Sequence, residues 1–210
     1  MTEYGKSSDR NKEAGFRQHN LDRIRDKAAR VPNDPFAQQL LAEAENAQGN
    51  FALAEAAVDR ALALRTDDRS GLALKSILLS RKSAKLSGDA RTQLVAKARG
   101  MAIKANRADP EDPRPLVAYY QSFHLPGYAP PAAAIDGLRQ AVSLLPRDTG
   151  TRQLLVDQLA TDKSFDEAMA WLMPIANSPH KSPRREAARL QMEQLKAAKA
   201  SAGAQAAVTN

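Results

Sequence analysis

Small residues recur in this chain where a helix would normally bury its largest. In the stretch 49–64, GNFALAEAAVDRALAL, Ala54 and Ala61 stand seven apart, a spacing that returns to the same helical face. Each buried methylene contributes about 0.8 kcal/mol, so burial alone would favour leucine at both places. Alanine there predicts a second backbone passing at close range. The same seven-residue pair recurs as Ala98/Ala105, Ala134/Ala141 and Ala168/Ile175. Its first members, Ala54, Ala98, Ala134 and Ala168, are separated by 44, 36 and 34 positions. A period of 34 with insertions of ten and two residues fits all of them.

Each of these helices is preceded by another helical stretch: PFAQQLLAEAENAQ, SGLALKSILLSRKSAKLS, PRPLVAYYQSF and TRQLLVDQLATD. Asp34-Pro35, Asp112-Pro113 and Ser182-Pro183 place a capping side chain before a proline at the first helical position. Ser164 and Glu167 have the spacing of a capping box. Pro110 and Pro146 follow helices that must stop there, and Pro174 is expected to end or kink its helix early. Aromatics make up only 5% of the chain and roughly one residue in five is alanine. Strand formers are scarce and helix formers abundant, so the fold class is all-α. The repeating units run 34–68, 69–112, 113–148 and 149–182. Such a unit cannot bury its apolar face alone and must stack on its neighbours.

This pattern resembles the tetratricopeptide repeat, a 34-residue antiparallel helix pair. In the first unit Ala42, Gly49, Phe51, Ala54, Val58 and Ala61 stand where that family expects small or large residues. Leu155, Leu159, Phe165, Ala168 and Leu172 do so in the fourth. The second unit keeps Ser76, Ala98, Ala102, Ala105 and Pro110, its ten extra residues lengthening both helices. The third keeps Ala134, Leu138, Ala141 and Pro146 but has Tyr120 at the usual small position. The resemblance implies an α-solenoid of about four helix pairs, forming one domain over 11–198. Terminal helices at 11–30 and 183–198 close the stack, and the ends 1–10 and 199–210 are expected to be disordered.

It also implies a concave groove lined by the first helix of each pair. By position, Phe36, Gln39, Glu43 and Asn46 would face it in unit one. Arg114, Val117, Gln121 and His124 would do so in unit three, and Gln153 and Asp157 in unit four. Such a mixed lining suits an extended peptide or a partner helix. A clamp for a C-terminal carboxylate is disfavoured, because Glu43 would repel it. Trp171 reads as a partly buried packing residue. A narrower resemblance, carried by YGKSS, NRADPEDPRPLVAYYQSFH and MPIANSPH, is to the C-terminal helical region of an uncharacterised bacterial family. Members of that family carry a peptidase-like domain in front of the repeats, which would make this chain the helical half of a larger protein.

Motifs that would carry chemistry are missing. There is no cysteine, and the three histidines, His19, His124 and His180, belong to no H-E-x-x-H. Neither a phosphate-binding glycine loop nor G-x-S-x-G is present. We expect no enzyme, no cofactor and no metal. The aromatic run YYQSFHLPGY at 119–128 reads as filler for the gap left by the two-residue insertion. No apolar run is long enough to span a membrane, and the first thirty residues contain no apolar core of a signal peptide. The chain as written is therefore placed in the cytoplasm, and an exported location follows only if it is a fragment of a longer precursor.

The net charge of +7 is uneven. Residues 81–107 hold eight Lys or Arg against Asp89 as the one acid. Within that block Lys97, Lys104 and Arg107 share the helix face opposite the alanines, and with Arg99 they form a candidate anion patch. Aromatics do not interleave with these cations along the sequence, which weakens a nucleic-acid reading. The favoured function is a non-catalytic scaffold for an unidentified protein or peptide. The alternatives are RNA, DNA or an acidic surface bound by the basic block, and the accessory half of a peptidase-like protein. Homo-oligomerisation through an incompletely capped end is a further partner reading.

Overall fold

The computed structural model describes residues 3–208, with side chains from Gly15 to Ala204, and these residues form ten α-helices. They are α1 (Glu3–Arg30), α2 (Pro35–Ala47), α3 (Phe51–Leu64), α4 (Arg69–Ser83), α5 (Gly88–Ala108), α6 (Pro113–His124), α7 (Ala132–Leu144), α8 (Thr149–Thr161), α9 (Phe165–Ala176) and α10 (Pro183–Val208). Two compact units result, α1–α6 up to Pro130 and α7–α10 from Pro131 on, where the sequence reading expects one domain over 11–198. The expected repeat 113–148 is thereby divided between α6 and α7. The proline-rich connection LPGYAPP, 125–131, lies at the division and cannot continue a helix.

In the first unit α2 packs on α3, α4 on α5, and α6 on both α4 and α5, with α1 against α2. In the second, α7, α8, α9 and α10 pack in sequential pairs. Helix starts are fixed by aspartates. Asp34, Asp68, Asp112 and Asp148 accept hydrogen bonds from the backbone N–H groups of Phe36, Gly71, Arg114 and Gly150 at 2.7–3.0 Å. Ser182 does the same for Arg185 at 3.2 Å. The capping box at Ser164 does not form, because Ser164 makes no side-chain cap. Glu167 instead pairs with Arg139 of α7 at 2.6 and 2.9 Å. Pro174 does not end α9, which continues to Ala176. The missing N–H removes one bond so near the terminus that the helix has little left to lose.

The ten inserted residues of the second repeat go mainly into α5, which has 21 residues against 14 in α3. The terminal helices are longer than expected. Helix covers 3–10 and 199–208, since no proline interrupts either stretch and 197–208 is rich in alanine. Residues 1–2 and 209–210 lie outside the described residues. The turn between α2 and α3 needs a left-handed residue and has Gly49 at φ 78°. The α8–α9 turn places Lys163 there, at φ 59°, a conformation that side chains seldom adopt.

The alanines lie where helices meet. Ala54, Ala98, Ala105, Ala134, Ala141 and Ala168 have no exposed surface, and Ala61 has 1%. Ala42, Ala54 and Ala57 pack with Val58, Leu74 and Leu78. Ala73, Ala102 and Ala118, from three different helices, form one cluster. Methyl-sized side chains are what three helices share at that point, and small contact residues favour close helix packing.

Buried charges add specific ties. Glu45 of α2 is almost wholly buried and is held by Arg25 of α1 at 2.7 and 3.0 Å and by the Asn50 side chain at 2.8 Å. These bonds, that from Arg25 foremost, hold the Glu45 carboxyl below its ordinary value. A carboxyl lowered by folding stabilises fully above its unfolded value and loses that contribution as pH falls through its folded one. Glu45→Gln should therefore lower the melting midpoint at neutral pH. The gap from the unsubstituted protein should narrow as pH is taken below the carboxylate range; a gap constant with pH would exclude this account.

Candidate functional site

In the first unit the expected groove residues come from α2 and α6. Phe36 is 68% exposed, with the Arg65 guanidinium 4.9 Å from its ring centroid. One turn on, Gln39 is buried and donates to Glu43 at 2.8 Å. This fixes the amide, so its oxygen points back at Gly71 of α4. A Cβ added at Gly71 would lie 3.2 Å from that oxygen and 3.0 Å from the Leu62 side chain, so α2 and α4 approach closely there. Asn46 is half-buried and Glu43 exposed.

On α6, Arg114 is clasped by Asp112 at 2.7–3.1 Å. That bond raises the Arg114 guanidinium above its ordinary value, against burial, and the charges of Glu43 and Asp68 add to the effect. Glu43 of α2 and Arg114 of α6 thus share one electrostatic field although 71 positions separate them in sequence. Val117 and Gln121 are half-buried, and exposed His124 stacks on the buried Tyr120 ring with centroids 5.5 Å apart. Asp68 caps α4, and its second role as a neighbour of Arg114 has no local sequence signal, since 46 positions separate them.

In the second unit Gln153 and Asp157 are exposed on α8 and joined at 2.7 Å. Gln191 of α10 reaches both, at 3.2 and 3.3 Å, so the terminal helix already engages this pair. Arg152 was missed. It is buried and donates to the carbonyls of Pro146 and Trp171, tying the start of α8 to α9. Trp171 is half-buried and donates to Glu167 at 3.3 Å.

The basic patch divides. Lys97, Lys104 and Arg107 are exposed, Lys104 donating to the Thr66 carbonyl at 3.1 Å. Arg99 leaves that face, because two residues along a helix turn a side chain to the far side. Its guanidinium lies 3.7 Å from the Phe123 centroid and 5.6 Å from that of Tyr128, while Arg91 lies 4.9 Å from Tyr128. Burial pushes the Arg99 guanidinium below its ordinary value. Aromatics therefore meet Arg91 and Arg99 through space, from α6 and the segment after it, while among the described residues no such ring contact is made by the exposed Lys97, Lys104 and Arg107. Among the described residues no group of three or more His, Cys, Asp or Glu could hold a metal ion. No described helix is long and apolar enough to cross a membrane.

Helix pairs packed through alanines, with a left-handed turn between them, define a fold of tetratricopeptide-repeat type. Solved structures place it there as well. A thermophilic tetratricopeptide-repeat protein of Thermus thermophilus is similar with a TM-score of 0.68 at 19% identity, over 89% of this chain and 93% of that one. A tetratricopeptide-repeat protein of Parabacteroides merdae matches at 0.60 and 12% identity, over 89% and 68% of the two chains. The pilF protein of Pseudomonas aeruginosa matches at 0.56 and 16%, over 92% and 84%. No protein-family model matches the sequence, and no curated protein matches it significantly.

Proposed function

We propose that this chain is a non-catalytic scaffold that binds a peptide or partner helix along α2 and α6 of its first unit. The observation that carries this reading is the exposed aromatic Phe36 on α2, two turns before the exposed Glu43 of the same helix, with the opposite charge of exposed Arg114 on α6. The aromatic supplies apolar area for a partner side chain, and the charges set its direction. The fold supports the reading at the level of architecture, which by itself hosts many roles.

The test is affinity capture from native lysate treated with nuclease, using three forms of the chain. A protein partner should be retained by the unsubstituted chain and by Lys97→Glu/Lys104→Glu/Arg107→Glu. It should be lost by roughly ten-fold or more in Phe36→Ala/Gln121→Ala/His124→Ala. The reverse pattern, with a catch that vanishes on nuclease treatment, moves the function to the exposed Lys97, Lys104 and Arg107 as a polyanion site. Capture of a peptidase-like protein would extend the scaffold reading to that of its helical accessory half.

A further inference from the structure

Several arginines of this protein are answered by a carboxylate, whereas the half-buried Arg81, Arg91 and Arg99 each lie against an aromatic ring instead. Arg25 has Glu45, Arg114 has Asp112 and Arg139 has Glu167. Arg91 and Arg99 on α5 have no carboxylate partner among the described residues, and the Nε of each is buried without a hydrogen bond. Both lie against Tyr128, and the Arg99 guanidinium is also over the Phe123 ring, 3.7 Å from its centroid. With its face against a ring and its Nε covered, such a guanidinium keeps its Nη groups as the polar surface on offer. An open pocket of about 550 Å³, within the first unit, is lined by Arg99 with Val95, Ala96, Phe123 and Tyr128, and Arg91 borders it through its contact with Tyr128. That volume lies within the range of small-molecule sites, roughly 300–1,000 Å³.

We propose that this cavity binds a carboxylate carried on an apolar body. The Nη groups of Arg99 would take the carboxylate, as a planar fork does, and the charge of Arg91 beside Tyr128 would add to the local field. Val95, Phe123 and Tyr128 would cover the apolar part. A free phosphate fits the charge but not the lining, because its strong hydration would be lost against apolar walls without return. The same chemistry is offered by a free organic acid and by the C-terminal residue of a peptide. The cavity shares no residue with the groove proposed above, so either site stands without the other.

The full chain would be titrated by calorimetry with 4-phenylbutyrate, with N-acetyl-alanyl-phenylalanine bearing a free C-terminus, with 4-phenylbutyramide and with inorganic phosphate. At least one of the two carboxylates should bind at roughly millimolar affinity or better, and which of them binds tighter identifies the source. The neutral amide and inorganic phosphate should each bind roughly ten-fold more weakly or worse. Arg99→Met should lose carboxylate binding while keeping the melting temperature within a few degrees, since its apolar stem still covers the Phe123 ring. Should that variant fail to fold, Arg91→Gln should weaken carboxylate binding in its place, with Lys97→Gln unchanged. Equal binding of amide and carboxylate, equal binding of phosphate, no binding of any probe, or equal loss in Lys97→Gln would each overturn the proposal.

Discussion

Ala54→Leu should unfold the first unit far more readily than its chemistry suggests, costing about 3 kcal/mol and lowering the melting midpoint by roughly 5–10 °C. Ala54 has no exposed surface and packs with Ala42, Ala57, Leu74 and Leu78. Those neighbours come from α2, α3 and α4, so a larger side chain must push whole helices apart rather than find a new rotamer. On area alone the same substitution would be favourable by several buried carbons. The sign of the result therefore decides between burial and close approach as the reason for alanine. Ala56→Leu, at an exposed position of the same helix, should change stability by no more than about 0.5 kcal/mol. Thermal melts of the two variants make the comparison, and equal effects would exclude the packing argument.

The second large effect runs against the consensus of the repeat. Tetratricopeptide repeats favour a small residue where this chain has Tyr120, so Tyr120→Ala restores the expected pattern. It should nevertheless cost about 3–5 kcal/mol, as truncation of a fully buried aromatic does. Tyr120 has no exposed surface and is the largest fully buried side chain described. Its hydroxyl lies 3.5 Å from the His124 Nδ1, and its ring stacks on the His124 ring. Tyr120→Phe keeps the volume and should cost only about 1 kcal/mol. A denaturant melt in which the alanine variant is as stable as the phenylalanine variant would mean that the unit has closed over the space.

What could be read in advance follows from how far each signal reaches along the chain. The alanine pairs were legible because both members lie on one helix, seven positions apart. Asp34 and Asp112 were legible because a cap acts within its own turn. Arg99 was not, since Phe123 and Tyr128, which take it off the basic face, lie on and beyond a different helix. Glu167 satisfied the local spacing of a capping box, yet a through-space partner, Arg139, outcompeted the backbone for it. The field shared by Glu43 and Arg114 likewise exists only after α2 and α6 have been brought together across α4. Groove residues named by position alone therefore include some, such as Gln153 and Asp157, that the chain's own Gln191 already engages.

The long-range ties described here are short in sequence: 20 residues for Arg25 to Glu45, 28 for Arg139 to Glu167 and 38 for Gln153 to Gln191. A topology built from such near neighbours closes only small loops and has a low contact order, which favours rapid folding. It also means that a growing chain can complete each helix pair soon after its second helix has been made. A nascent chain of this kind exposes its alanine seams one pair at a time, which shortens the interval in which unpaired apolar faces can meet those of another molecule.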